Sequence, residues 1–178
     1  MMRKQRGFSL IELLIVVAII LVIATLVIPS LSRARIAACE SNAVASLRSL
    51  VSAETTYNSA YPQTGYALTL AQLGPPGSTC NVPSSANACL IDNGLSGSGT
   101  TPHSGYLFNI TAGRSGGSSP EIDYTIGAAA ASYNVSGVRN FCAQEDGVLR
   151  YSIPTSQTTV TSIDSNTCIG YSTLTTDY

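Results

Sequence analysis

The chain has 178 residues, enough for at most one compact domain beyond a long apolar stretch near its start. Its formal net charge is −1 at pH 7, and only 11 % of its residues are charged. Nucleic-acid binding is not expected, because that function requires a basic patch. Gly, Ser, Thr and Asn are abundant after residue 62, which indicates a weakly charged, loop-rich exterior suited to a close-packed assembly.

A short basic leader and a long apolar run make up the first 28 residues. Residues 1–7 (MMRKQRG) contain Arg3, Lys4 and Arg6 and no acidic residue. Residues 8–28 contain a single charged side chain, Glu12. A helix over residues 8–28 would span roughly 31 Å at about 1.5 Å per residue, the thickness of a bilayer's hydrocarbon core. We therefore predict a transmembrane helix, with the basic leader on the cytoplasmic side.

Two simpler interpretations of this N-terminal region fit less well. A secretory signal peptide has an apolar core of about 7–15 residues and an A-x-A-like cleavage site, whereas this run is longer and has no such site. A plain signal-anchor helix would not be expected to carry Glu12. An acidic side chain within hydrocarbon costs at least a few kcal/mol and usually marks function.

The stretch from Arg6 to Leu13, RGFSLIEL, resembles the processing site of type IV prepilins and of the pseudopilins of type II secretion. The resemblance implies that a prepilin peptidase cuts after Gly7 and that the new amino terminus, Phe8, is N-methylated. It also implies an inner-membrane assembly platform, identical or related pilin subunits as partners, and no cofactor. The protein would be a single-pass inner-membrane protein before assembly and part of a periplasmic or extracellular filament afterwards.

Glu12 and Pro29 are the two residues to which we assign a role in assembly. Assembly would move the helix from lipid into a bundle of like helices, where the Glu12 carboxylate can pair with the Phe8 amine of an adjacent subunit. Pro29 is expected to bend or locally loosen the helix. A proline at this distance from the cleavage site is also found in many type IV pilins.

Helical periodicity resumes at once and predicts an amphipathic continuation over residues 29–61. Apolar residues such as Leu47 and Val51 step by three or four positions, and no further Gly or Pro occurs before position 62. One long helix, from Phe8 to about residue 60, is therefore predicted, with its apolar side on the following domain. Glu54 falls on that side, where it is either paired with another group or, as we prefer, at the edge of the apolar stripe.

Residues 62–178 are predicted to form a globular head with a small antiparallel sheet. Gly105–Thr111 and Ile122–Ile126 are rich in aromatic and β-branched residues, as strands are. Gly137–Ile153 predicts a hairpin around a two-residue type I′ turn, Asp146–Gly147. The predicted fold class is therefore α+β, with a long N-terminal helix packed on this sheet, similar to that of pilin-like proteins.

Three further segments of the head are predicted from turn and loop residues. A short helix is expected near Leu68–Leu73, a long loop over Ser78–Ser104 and a turn over Arg114–Pro120. A loop as long as the second of these suggests function or mobility.

All five cysteines follow the apolar helix, which places them in an oxidising compartment where disulfides persist. An odd number leaves at least one free or paired between chains, and sequence alone leaves the pairing open. We prefer Cys80–Cys89, which closes a short loop. We also prefer a Cys142–Cys168 bond, because it resembles the bond that defines the C-terminal loop of many pilins. Cys39 falls in the predicted helix and is expected to be a small buried hydrophobe.

No catalytic or metal-binding pattern is recognisable. His103 is the sole histidine, and no G-x-S-x-G motif accompanies it. The cysteines form no C-x-x-C pair of the kind that zinc sites use. Asp164 and Asn166 could supply two calcium ligands, as acidic loops do in some pseudopilins, but a full ligand pattern is missing. We therefore predict that the protein is not an enzyme and holds no metal.

Three functions compete on this evidence. The preferred one is a structural subunit of a type IV pilus or pilus-like filament, serving adhesion, motility or DNA uptake. The alternative is a type II secretion pseudopilin, which forms a short periplasmic fibre. The least favoured is a membrane-anchored periplasmic enzyme or binding protein, which would keep its leader and contain a preformed pocket.

Overall fold

The computed structural model describes residues 8–77, 79–80, 82–112 and 120–174. It confirms the α+β fold class. A long helix, α1 (Leu10–Ala60), precedes a five-stranded antiparallel sheet. Residues up to Arg35 form one compact unit, and residues from Ile36 onward form a second unit.

The first unit is the apolar part of α1. Its large apolar side chains that the structure describes are all exposed, from 46 % at Val17 to 82 % at Leu10. An 18-residue window of α1 reaches a mean hydropathy of 3.2 with none of it buried, so the helix is long and apolar enough to cross a membrane. The helix continues through position 29. Pro29 therefore does not end it, and the bend remains a prediction.

In the second unit, one side of α1 is buried in the main core of the head. The buried positions recur every three or four residues, as expected for a helix with one covered side. They are Glu40, Ala43, Leu47, Leu50, Ala53, Glu54 and Tyr57. Leu47 and Leu50 are fully buried, and each such side chain contributes about 1.5–3 kcal/mol relative to an exposed one.

The sheet has its strands in chain order, and each strand pairs antiparallel with the next. The first strand lies within one residue of its predicted bounds, the second starts two residues later than predicted and continues into the Ala128–Ala131 run, and the third and fourth lie within the predicted hairpin. The fifth strand was not predicted. The predicted turn over Arg114–Pro120 lies almost wholly outside the described residues. The strands are β1 (Tyr106–Ala112), β2 (Tyr124–Ala130), β3 (Asn140–Gln144), β4 (Leu149–Ser152) and β5 (Ser172–Thr173).

The β3–β4 hairpin was predicted in the right place with the wrong turn. Of its two central residues, only Gly147 has a positive φ, +70°, whereas a type I′ turn needs two. The Gly147 N–H donates to the Gln144 carbonyl at 2.9 Å, which closes a longer turn. The Asp146 carboxylate accepts the Val148 N–H at 2.9 Å and pairs with Arg150, so its side chain stabilises this conformation.

The sheet is covered on its second face by the C-terminal segment, which was predicted only as a Ser/Thr-rich tail. A 3₁₀ turn at Val160–Ser162 and a short helix at Ser165–Ile169 form a second, smaller core with β2 and β3. All seven residues of β2 are buried as a result. A Cβ atom added to Gly127 would lie only 2.8 Å from the Cβ of Ile163, so glycine permits this close approach.

The segment between α1 and β1 contains two short helices, α2 (Leu70–Leu73) and α3 (Asn93–Ser96). The first lies within the predicted helix near Leu68–Leu73. The second lies within the predicted long loop, where Asp92 caps it by accepting the Leu95 N–H at 3.0 Å. Residues 98–103 then run beside β1, with the Ser98 carbonyl accepting the Phe108 N–H at 3.0 Å.

Candidate functional site

Glu12 lies in the first turn of α1, and its side chain is exposed. The Glu12 N–H donates to the Ser9 carbonyl at 3.1 Å, so the helix begins directly after Ser9. The spacing S-x-x-E over these residues is typical of a helix N-terminus. An acidic side chain in the first turn also interacts favourably with the helix dipole, by about 0.3–1 kcal/mol.

The surroundings of Glu12 are apolar. Phe8, before the helix, is 72 % exposed, and the neighbouring Ile11 and Leu13 are 64 % and 59 % exposed. Within the described part of this unit, the next charged residue along the helix is Arg33, roughly 30 Å away at 1.5 Å per residue. The described residues of the unit therefore offer the Glu12 carboxylate no cation. Gly7, the predicted cleavage position, lies outside the described residues.

The structure joins Cys80 to Cys89 and Cys142 to Cys168, the two pairs preferred from the sequence. Cys142 on β3 and Cys168 in the C-terminal helix are fully buried in the second core. Cys39 is free and only partly buried, beside Gly105.

Removal of the two disulfides is expected to destabilise the head unequally. Loop-closure entropy predicts losses of about 2.5 kcal/mol for Cys80–Cys89 and about 3.5 kcal/mol for Cys142–Cys168, whose sequence separations are 9 and 26 residues. Urea unfolding of the two double-alanine variants measures both losses. A Cys89–Cys142 peptide in a non-reducing digest would contradict the pairing.

An ion pair between Glu40 and Arg139 fastens the β2–β3 connection to α1. The carboxylate is buried, and its Oε2 lies 2.8 Å from the Arg139 Nη2 and 2.8 Å from Nε. Its Oε1 accepts the backbone N–H groups of Val138 and Arg139, at 2.9 and 3.1 Å. This pair was not predicted from the sequence, although Glu40 precedes Ala43 on the buried stripe at helical spacing.

Glu54 is not at the edge of the apolar stripe, so that prediction was wrong. Its side chain is fully buried, and Oε2 accepts the Ala67 N–H at 2.9 Å. Burial raises the pKa of this carboxyl to about 8, although the hydrogen bond from Ala67 acts in the opposite direction. The buried backbone of the segment after α1 supplies the partner that compensates part of the desolvation.

The other polar candidates have structural roles. The Asp164 carboxylate accepts the Thr167 N–H at 2.8 Å and caps the C-terminal helix. His103 and Asp92 line an open cleft of about 440 Å³ beside α1, where Asp92 is already engaged in capping α3. Among the described residues, no group of three or more His, Cys, Asp or Glu side chains could hold a metal ion.

The family model for the prokaryotic N-terminal methylation motif matches residues 2–28, which include the predicted cleavage position, Phe8 and Glu12. No curated protein and no solved structure matches the chain. The apolar helix and the motif together fit membrane anchoring before assembly. Residues 2–28 thus carry the prepilin-type methylation motif that is found in type IV pilins and pseudopilins.

Proposed function

We propose that the protein is a structural subunit of a type IV pilus or pilus-like filament. The observation that carries this proposal is the placement of Glu12, a single carboxylate in the first turn of an exposed apolar helix, within the methylation motif. The motif favours a structural subunit over an enzyme. Prepilin peptidase, an inner-membrane assembly platform and other pilin subunits are the proposed partners.

The proposed mechanism begins with cleavage after Gly7, which frees a charged amine at Phe8. Residues 8–28 hold the mature protein in the inner membrane until assembly. Assembly then transfers the apolar helix from lipid to a bundle of like helices, whose side chains pack on one another. The Phe8 amine of one subunit pairs with the Glu12 carboxylate of its neighbour.

The pairing explains how a carboxylate can reside in an apolar bundle. A buried ion pair requires good geometry, and the loss of one partner costs about 3–5 kcal/mol because a charge is then left uncompensated. An isolated helix in lipid offers Glu12 no partner, whereas staggered helices offer one for each subunit. In the proposed filament, the head formed by residues from Ile36 onward coats the helical core.

Processing can be tested by intact-mass analysis of the full chain extracted from membranes. In cells that contain prepilin peptidase, we expect loss of Met1–Gly7 and the addition of one methyl group at Phe8. Cells without the peptidase provide the control and should retain the leader. A dominant unprocessed species in peptidase-containing cells would remove the filament proposal.

A further inference from the structure

Glu54 is fully buried, and the structure gives its carboxyl a single hydrogen bond. Its Oε2 accepts the Ala67 N–H, whereas its Oε1 is buried and has no hydrogen-bond partner among the described residues. An ionised carboxylate would need partners for both oxygens, because a buried charge without compensation is very costly. A proton on Oε1 removes the charge and keeps the Ala67 bond intact.

Among the residues that the structure describes, no cation acts on the Glu54 carboxyl. Tyr57 comes from α1 and Tyr124 from β2, and burial followed by the Glu54 charge raises the pKa of both phenols. Tyr66 stacks on Tyr124 at 4.8 Å between ring centroids. Tyr61 contacts the Tyr57 ring, and the Glu121 carbonyl accepts the Tyr66 N–H. The turn residues Glu145 and Asp146 act on Tyr124, and Asp146 is paired with Arg150.

The partner of Glu54 belongs to residues 61–69, a short segment that two backbone hydrogen bonds join to Glu121, one of them from the Glu121 N–H to the Thr64 carbonyl at 2.9 Å. Residues 61–69 leave the end of α1 in a turn, with the Thr64 and Gly65 N–H groups donating to the Tyr61 carbonyl. The Tyr66 N–H donates to Glu121 at 3.0 Å, and the Ala67 N–H donates to Glu54. The Glu54 carboxyl thus links α1 to this segment by a side-chain hydrogen bond, in addition to the contact between the Tyr57 and Tyr61 rings, whose centroids lie 5.0 Å apart.

We propose that Glu54 is a pH-sensitive latch: in its protonated form it holds residues 61–69 against α1, and its ionisation releases them as the solution becomes alkaline. The latch belongs to the head and is independent of leader cleavage and of Glu12. It lets the pH outside the membrane control how firmly the end of α1 is bound to the head.

The direction of the pH effect follows from the two states of the carboxyl. Its pKa is 4.5 when exposed and about 8 when buried. Below the lower value both states are protonated, and the latch is at full strength. Between the two values only the open state is ionised, so opening becomes about tenfold more favourable per pH unit. Above the higher value the effect levels off, after a total change of roughly a thousandfold.

Hydrogen exchange with mass spectrometry tests the latch on the full chain in detergent. Exchange rates are corrected for their intrinsic pH dependence with an unstructured peptide measured alongside. In the wild type, protection of a peptide covering residues 61–69 should fall about tenfold per pH unit from pH 5 to pH 8. A peptide from β2 should change much less, because the main sheet stays paired.

Two variants separate the charge from the hydrogen bond. Glu54→Gln keeps an acceptor for the Ala67 N–H but cannot ionise, so protection of residues 61–69 should be independent of pH. Glu54→Leu removes the acceptor, so protection should be low at every pH. A parallel fall in wild type and Glu54→Gln would overturn the proposal. A flat response in the wild type would overturn it even if the glutamine variant failed to fold.

Discussion

Replacing Glu12 by Leu should leave insertion and leader cleavage intact but reduce incorporation into filaments by about a hundredfold or more. The variant removes the proposed partner of the Phe8 amine, and breaking a buried ion pair costs about 3–5 kcal/mol. In lipid, by contrast, loss of the carboxylate should favour insertion. The measurement is the amount of subunit in sheared filaments, relative to mature subunit retained in the membrane.

Glu12→Gln is the matched control for a purely local role. Glutamine can replace glutamate in an S-x-x-E/Q helix start, so it preserves the first turn of α1 but cannot form an ion pair with the amine. We expect it to assemble as poorly as Glu12→Leu. Wild-type filament yield from both variants, in cells lacking other subunits with this acidic residue, would reject the pairing and leave the methylation motif unaffected.

Replacing Gly65 by Ala should destabilise the head by more than about 4 kcal/mol. Gly65 has a φ of +83°, and an added Cβ would lie 2.0 Å from the backbone oxygen of Glu121. Two hydrogen bonds join these segments, from Tyr66 N–H to Glu121 and from Glu121 N–H to Thr64, at 3.0 and 2.9 Å. Since backbone cannot yield as a side chain does, both bonds are expected to break.

Gly147→Ala separates backbone strain from steric overlap. Gly147 has a similar φ of +70°, but nothing lies within 4 Å of an added Cβ. Its substitution should therefore cost only about 1 kcal/mol. Urea unfolding of the full chain in detergent, followed by near-ultraviolet circular dichroism, compares the two variants. Equal losses of stability in the two variants would show that the positive φ alone, rather than the contact with Glu121, explains why glycine is needed at position 65.

The elements that depend on local sequence were predicted well. The uninterrupted apolar and helical pattern placed α1 within two residues of its observed start, and alternation with turn residues placed the first strands. The two-residue β5 was missed because it exists through pairing, with Leu174 donating to the Leu149 carbonyl at 2.8 Å. The packing of the C-terminal segment on the second sheet face was likewise not predicted, because it depends on contacts between segments that are distant in sequence.

The environments of the two buried carboxylates could not be predicted from local sequence patterns. Periodicity placed Glu54 on the apolar side of α1, but the cost of burying a charge favoured an exposed edge position. Burial of Glu54 is possible because its carboxyl accepts the Ala67 N–H and has a raised pKa. No sequence pattern predicts either feature. Glu40 and Arg139 are 99 residues apart in the sequence. Their ion pair therefore depends on the tertiary fold and could not be predicted from local sequence.

The loop beside β1 also bears on unwanted self-association. β1 ends the sheet, and an uncovered edge of this kind is a template for strand pairing between molecules. Here the Phe108 N–H is occupied by Ser98, and Tyr106 exchanges two backbone hydrogen bonds with His103. Edge-to-edge pairing between molecules is thereby blocked along this half of the strand. In the proposed filament, the Ser/Gly-rich loop would thus leave contacts between subunits to the apolar helix.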